Sequence, residues 1–204
     1  MLERKSQADA LRRSDEQSYR MAATDPLTGL YNRRYAEAYL SSLQVNADEH
    51  PSAFSLILVD LDHFKSINDT WGHAAGDVVL CEVARCIQDN LRACDLVARF
   101  GGEEFLVVLP ETTRATALLL AERLRRAVGK RPVRVPDVGD VPVTASMGVA
   151  TGCVGTKVMN AQPSIYNAGS RLGPDEFQSV FDAADTALYR AKSTGRDRVV
   201  VSAA

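Results

Sequence analysis

The stretch Arg99-Phe100-Gly101-Gly102-Glu103-Glu104-Phe105 decides how the rest of the chain is read. Val97 and Ala98 precede it, and Leu106, Val107, Val108 and Leu109 follow, so two short apolar runs flank a pair of glycines. That pattern predicts a β-hairpin with the glycines in its turn. Glycine tolerates φ > 0 and lets another molecule come close to the backbone. Two carboxylates follow where the turn meets the second strand. Adjacent acids beside so apolar a strand are unexpected unless something positive binds there. Taken alone, the same residues suit a solvated hairpin end equally well.

The chain has 204 residues, enough for one domain with appendages or at most two small ones. Hydrophobic residues make up 46% and charged residues 25%, which supports a sizeable core and argues against disorder. A net charge of -2 excludes a broad nucleic-acid footprint, so an anionic ligand must be met by local Lys, Arg or metal. Cys81, Cys86, Cys94 and Cys153 have neither zinc-ligand spacing nor a disulfide-rich setting and are expected to be reduced thiols. No apolar run reaches bilayer-spanning length, and Met1-Leu2-Glu3-Arg4-Lys5 lacks a signal-peptide core. A cytoplasmic protein with no direct membrane segment is the expectation.

Working outward, residues 1–22 are charged and free of Gly and Pro, and read as a solvated or dimerising helical linker. Pro26 and Gly29 break it, and Asn32 is placed to cap a helix running to about Val45. Phe54 to Val59 is almost continuously apolar, as a buried central strand should be. It ends in Asp60-Leu61-Asp62. A polar stretch follows, and Gly76-Asp77 is expected to open a helix with Val79, Val83, Ile87 and Leu91 at helical spacing. After the hairpin, Thr113–Val128 reads as a helix, Val141–Ala150 as a strand and 152–174 as a long loop insert. A final helix marked by Phe181, Ala184, Leu188 and Ala191 ends near Gly195, before the strand Val199-Val200-Val201. The alternation predicts an α/β (α+β) fold, a sheet flanked by helices, over residues 23–204.

Asp60 stands at the carboxyl end of the most hydrophobic strand, where open α/β sheets place ligands. If the hairpin lies beside that strand, Asp60 converges with Glu103 or Glu104. Oxygen-only donors favour Mg²⁺ or Mn²⁺ over zinc. A pair of such ions about 4 Å apart suits phosphoryl transfer.

These pieces occur together in one family. From about Thr24 to Val201 the chain resembles the GGDEF domain family, the diguanylate cyclases. The resemblance rests on Asp25-Pro26-Leu27-Thr28-Gly29-Leu30-Tyr31-Asn32-Arg33-Arg34 and on Asp60-Leu61-Asp62-His63-Phe64-Lys65-Ser66-Ile67-Asn68-Asp69. It continues through Gly72-His73, Gly76-Asp77, Gly101-Gly102-Glu103-Glu104-Phe105 and Ser146-Met147-Gly148-Val149-Ala150. Ala184-Asp185, Ala187-Leu188-Tyr189, Ala191-Lys192 and Gly195-Arg196-Asp197 close it. The third position of the family's central motif carries Asp or Glu, so Glu103 is an accepted variant.

The resemblance implies a mostly antiparallel, nucleotide-cyclase or polymerase-palm-like sheet and the joining of two GTP into cyclic di-GMP across a homodimer. It implies that Asp60, the Leu61 carbonyl and Glu103 hold Mg²⁺, two ions per half-site, with Mn²⁺ as the alternative. Glu103 would also be the base for the ribose 3′-hydroxyl, with Glu104 a secondary carboxylate. Lys65 would stabilise phosphate charge, and Lys192 and Arg196, four apart and so expected on one face of the last helical turn, would grip the phosphate tail. Phe64, Gly101 and Gly102 complete the substrate contacts. Asn68 and Asp77 would read guanine, since a carboxylate accepts from both N1–H and the exocyclic amine. On sequence alone Asp77 is equally an N-cap.

Arg92 and Asp95 form an Arg-x-x-Asp pair at the offset of the family's product-inhibition site, and Arg123 matches an additional arginine there. Alone, the pair reads as a loop salt bridge. The rival reading is a catalytically silent module that binds cyclic di-GMP, which an intact hairpin opposes. The family also implies an upstream sensory domain or partner.

Overall fold

The computed structural model describes residues 22–46, 52–154 and 174–203. The helical linker over 1–22, apart from its last residue, and the insert from 155 to 173 lie outside the described residues.

In chain order the elements are β1 (Tyr31–Asn32), α1 (Arg33–Asn46), β2 (Ser52–Leu61), α2 (Phe64–Trp71), α3 (His73–Gln88), β3 (Leu96–Arg99) and β4 (Glu104–Leu109). Then come α4 (Arg114–Gly129), β5 (Val133–Val135), β6 (Gly139–Val141), β7 (Ala145–Val154), α5 (Pro174–Ser193) and β8 (Val199–Val201). The main sheet has six strands in the order β1-β3-β4-β2-β7-β8. Its three inner pairings, β3–β4, β4–β2 and β2–β7, are antiparallel, and the outer β1–β3 and β7–β8 pairings are parallel. This is the mostly antiparallel, helix-flanked sheet that the family resemblance implies. Among the described residues, no helix is long and apolar enough to cross a membrane.

β2 is central because both of its faces are covered. Ile57, Val59 and Leu61 pack with Val79, Val83, Ile87, Ala121 and Leu124 on one side of the sheet. Phe54, Leu56 and Leu58 join Ala36, Leu40, Ala184 and Leu188 on the other. Alternation along the strand therefore turns Asp60 and Asp62 toward α5. That helix lies unusually close: a Cβ on Gly148 would collide with the Ala184 carbonyl and the Leu188 amide.

Local signals start the helices as expected. The Asn32 side chain accepts from the Tyr35 amide at 3.0 Å, and Thr113 accepts from Thr116 ahead of α4. The polar stretch after Asp62 is itself a helix. α2 buries only Phe64 and Ile67, three residues apart, so its polar faces hide the period. α3 begins at His73, three residues before Gly76. The β5–β6 hairpin was not anticipated, and Val141 belongs to it rather than to β7, which starts at Ala145.

Candidate active site

Asp60 sits opposite Glu104 in the β2–β4 ladder and opposite Ser146 in the β2–β7 ladder. The hairpin thus lies beside β2, as the convergence of carboxylates requires. Lys192, in the last turn of α5, reaches Asp60 Oδ2 with its Nζ at 2.7 Å. Asp60 is 6% exposed. Burial pushes its carboxyl above the ordinary value; Lys192 opposes this, and the negative charges of Glu103 and Glu104 reinforce it. Three acids and one lysine therefore share this end of the sheet.

The turn itself is tied from two sides. The Leu61 amide donates to the Glu103 carbonyl at 3.4 Å, and the Phe100 amide to the Glu104 carbonyl at 2.8 Å. The Arg99 guanidinium donates to the Gly102 carbonyl through Nε at 3.1 Å and Nη2 at 2.8 Å. Its third nitrogen meets both oxygens of Asp25 at 3.3 Å. Asp25 is held by the Thr28 amide and hydroxyl at 2.8 and 2.7 Å. Burial pushes the Asp25 carboxyl up, but the Thr28 and Arg99 contacts outweigh it and leave the pKa lowered. Neither Gly101 nor Gly102 takes a positive φ. A Cβ on Gly101 would meet the end of the Glu104 side chain, which would have to shift to make room.

α2 and α3 follow directly from the end of β2 that carries Asp60. Lys65 is exposed in the first turn of α2. The Asn68 side chain lies over Gly76, where any Cβ would strike its Oδ1. The N-cap of α3 is Gly72, so Asp77 is a mid-helix residue with an exposed carboxylate, not a cap. Phe64 is 6% exposed and its ring belongs to the core, so its side chain is not offered to a ligand. His63, at φ 57, turns the backbone into α2 just ahead of it.

Arg196 is not on the last helical turn. α5 ends at Ser193, and Arg196 follows in a left-handed turn, its amide bonded to the Ala191 carbonyl at 3.0 Å. Asp62 anchors this turn. Its carboxylate is 5% exposed and accepts from Ser146 Oγ at 2.6 Å, Thr144 Oγ1 at 2.8 Å and the Asp197 amide at 3.0 Å. Asp62, Arg99 and Asp25 were assigned no role from sequence. For Asp62 the signal was available, since a residue two beyond Asp60 shares its face of the strand.

The donor set suits a hard divalent cation. Asp60 and the Glu103 and Glu104 carboxylates supply only oxygen, and their repulsion on Asp60 is what a cation relieves. Among the described residues, no three acidic, histidine or cysteine side chains are gathered tightly enough to form a cation cluster on their own.

On the opposite side of the hairpin, Arg92, Asp95, Thr116, Leu119 and Arg123 line a groove of about 310 Å³. Arg92 and Asp95 meet through the Arg92 amide and Asp95 Oδ2 at 2.9 Å, so the acid caps a turn and the exposed guanidinium is not spent on it. Arg123 Nη2 donates to the Asn90 carbonyl at 2.6 Å.

Comparison with known proteins agrees with this geometry. The family model described as diguanylate cyclase, GGDEF domain, matches residues 22–198. The response regulator PleD of Caulobacter vibrioides is 39% identical over 203 residues, 100% of this chain and 41% of PleD. The probable diguanylate cyclase DgcC of Escherichia coli is 37% identical over 183 residues, 90% of this chain and 44% of its own. The chain thus spans less than half the length of these curated relatives. The crystal structure of the coiled coil and GGDEF domain of DgcB from Caulobacter crescentus, in complex with c-di-GMP, superposes with a TM-score of 0.81 at 30% identity. It covers 98% of this chain and 96% of that one.

Proposed function

The chain belongs to the diguanylate cyclase GGDEF domain family, and we propose that it condenses two GTP into cyclic di-GMP. What carries this reading is the convergence of Asp60, Glu103 and Glu104 beside Lys192 at one end of the sheet. Asn68 and Asp77 hold the guanine edge, and an unpaired Asp77 penalises adenine. Lys65 and the first turn of α2 meet the phosphates near the reacting centre. Lys192 exchanges Asp60 for the phosphate tail, which Arg196 grips from its turn.

Glu103 takes the proton from the ribose 3′-hydroxyl of one GTP. The freed oxygen attacks the α-phosphorus of the other, the bond to the β-phosphate breaks and pyrophosphate leaves. The same step in the opposite sense closes the ring and releases a second pyrophosphate. Asp60, the Leu61 carbonyl and Glu103 would hold Mg²⁺, which would supply charge neutralisation at the reacting phosphate and lower the pKa of the hydroxyl. Each protomer holds one GTP, so two half-sites must face each other in a homodimer. The governing input comes from an upstream domain or a partner.

Product binds the groove of Arg92, Asp95 and Arg123 and restrains the enzyme, the arginines pairing with phosphate or guanine. The reading is tested by Glu103→Ala. Turnover should vanish while the circular dichroism spectrum is kept; surviving turnover would contradict the assignment of the base.

A further inference from the structure

Gly195, Arg196 and Asp197 have φ of 125°, 60° and 41° in succession. Two of the three carry side chains, and consecutive left-handed residues with side chains persist only where their surroundings hold them. Here the surroundings hold Asp197 at both its ends. Its amide donates to Asp62 Oδ2 at 3.0 Å, and its carboxylate accepts from Arg125 Nη1 at 2.6 Å. Asp62 is in turn fixed by Thr144 and Ser146, and its own amide donates to the Thr144 carbonyl at 2.9 Å. Arg125 is steadied by Glu122 Oε2 at 3.1 Å from its Nε. The Arg196 carbonyl accepts from Arg198 Nε at 2.9 Å, so the peptide units on either side of Arg196 are both tied while its side chain remains exposed.

We infer that Asp62 and Arg125 are positioning residues for Arg196: together they fix the left-handed turn from which its exposed guanidinium extends, just after the helix end that carries Lys192. Asp62 acts from the sheet and Arg125 from α4, on opposite sides of the same residue, so neither alone defines the turn. The role rests on the proposed function, in which Arg196 grips the GTP phosphate tail. A buried carboxylate two residues from Asp60 is then spent wholly on orienting protein rather than on ligand.

The test compares Arg125→Gln, Arg125→Lys and Asp62→Ala with the wild type, each also in an Arg196→Ala background. KM and kcat for GTP are measured with Mg²⁺, alongside the affinity for a non-hydrolysable GTP analogue and the melting curve. Arg125→Gln should raise KM and the analogue's Kd about three- to tenfold with kcat nearly kept, and Arg125→Lys should restore most of the loss. In the Arg196→Ala background, Arg125→Gln should add nothing. An unchanged KM and Kd, or an equal effect with and without Arg196, would overturn the inference. If Asp62→Ala melts below the assay temperature, the surface-accessible Arg125 variants decide alone. A wild type that makes no cyclic di-GMP defeats the proposed function instead, while the analogue-binding cycle still judges the turn.

Discussion

Asp60 stands directly across the β2–β4 ladder from Glu104, and Lys192 closes on it from α5 at 2.7 Å. The site is therefore a charge conflict held in place by the sheet register, and it costs the fold something to keep.

That cost has a sign in pH. Folding raises the Asp60 pKa above its ordinary 3.8, chiefly by burial, so the folded chain binds this proton more tightly than the unfolded one. The destabilisation sets in as pH rises above 3.8 and is complete once pH has passed the higher folded value. Asp60→Asn should abolish turnover yet raise the melting temperature by about 2–4 °C in chelator at pH 7, with little gain near pH 3. Mg²⁺ should stabilise the wild type and not the variant. Calorimetric melting across pH checks both.

Arg99 joins the Asp25 loop to the tip of the hairpin, two segments 74 residues apart. Only a guanidinium can serve the Gly102 carbonyl and the Asp25 carboxylate together. Arg99→Ala should cost about 1–3 kcal/mol in urea unfolding and lower kcat at least tenfold. Arg99→Lys should recover little of either. Unchanged kcat in both variants would show that the tip holds its shape without this bridge.

Much of this was legible in the sequence, and the omissions have physical causes. The continuous apolar run before Asp60 gave away the central strand, and the paired glycines gave away the hairpin beside it. α2 escaped because a short helix with two buried residues carries almost no periodic signal. The Arg99–Asp25 bridge and the Arg125–Asp197 pair depend on tertiary placement that no spacing encodes. The positive φ expected of the hairpin glycines is absent at both Gly101 and Gly102, because the turn closes without it, and the Phe64 ring is in the core.

Close approach of α5 makes Gly148 a sharp probe of the sheet. Gly148→Ala puts a methyl against the Ala184 carbonyl and the Leu188 amide, backbone atoms of the helix that carries Lys192. A loss of about 1–3 kcal/mol is expected, read as a lower urea midpoint at constant m. A midpoint equal to the wild type's would contradict this packing.

The groove of Arg92, Asp95 and Arg123 lies on separate elements from Asp60. Arg92→Ala should weaken inhibition by added cyclic di-GMP about tenfold or more while initial rates without product stay near wild type. Arg123→Ala should do the same to a smaller extent. Inhibition of equal strength in both variants would remove the groove from the account.

The most direct measurement is to incubate the protein at high concentration with GTP and Mg²⁺, and separately with ATP, and to separate the products by chromatography. Cyclic di-GMP and two equivalents of pyrophosphate should form from GTP, with neither formed from ATP. Binding of cyclic di-GMP without any conversion of GTP would contradict the catalytic reading and leave a silent binding module in its place.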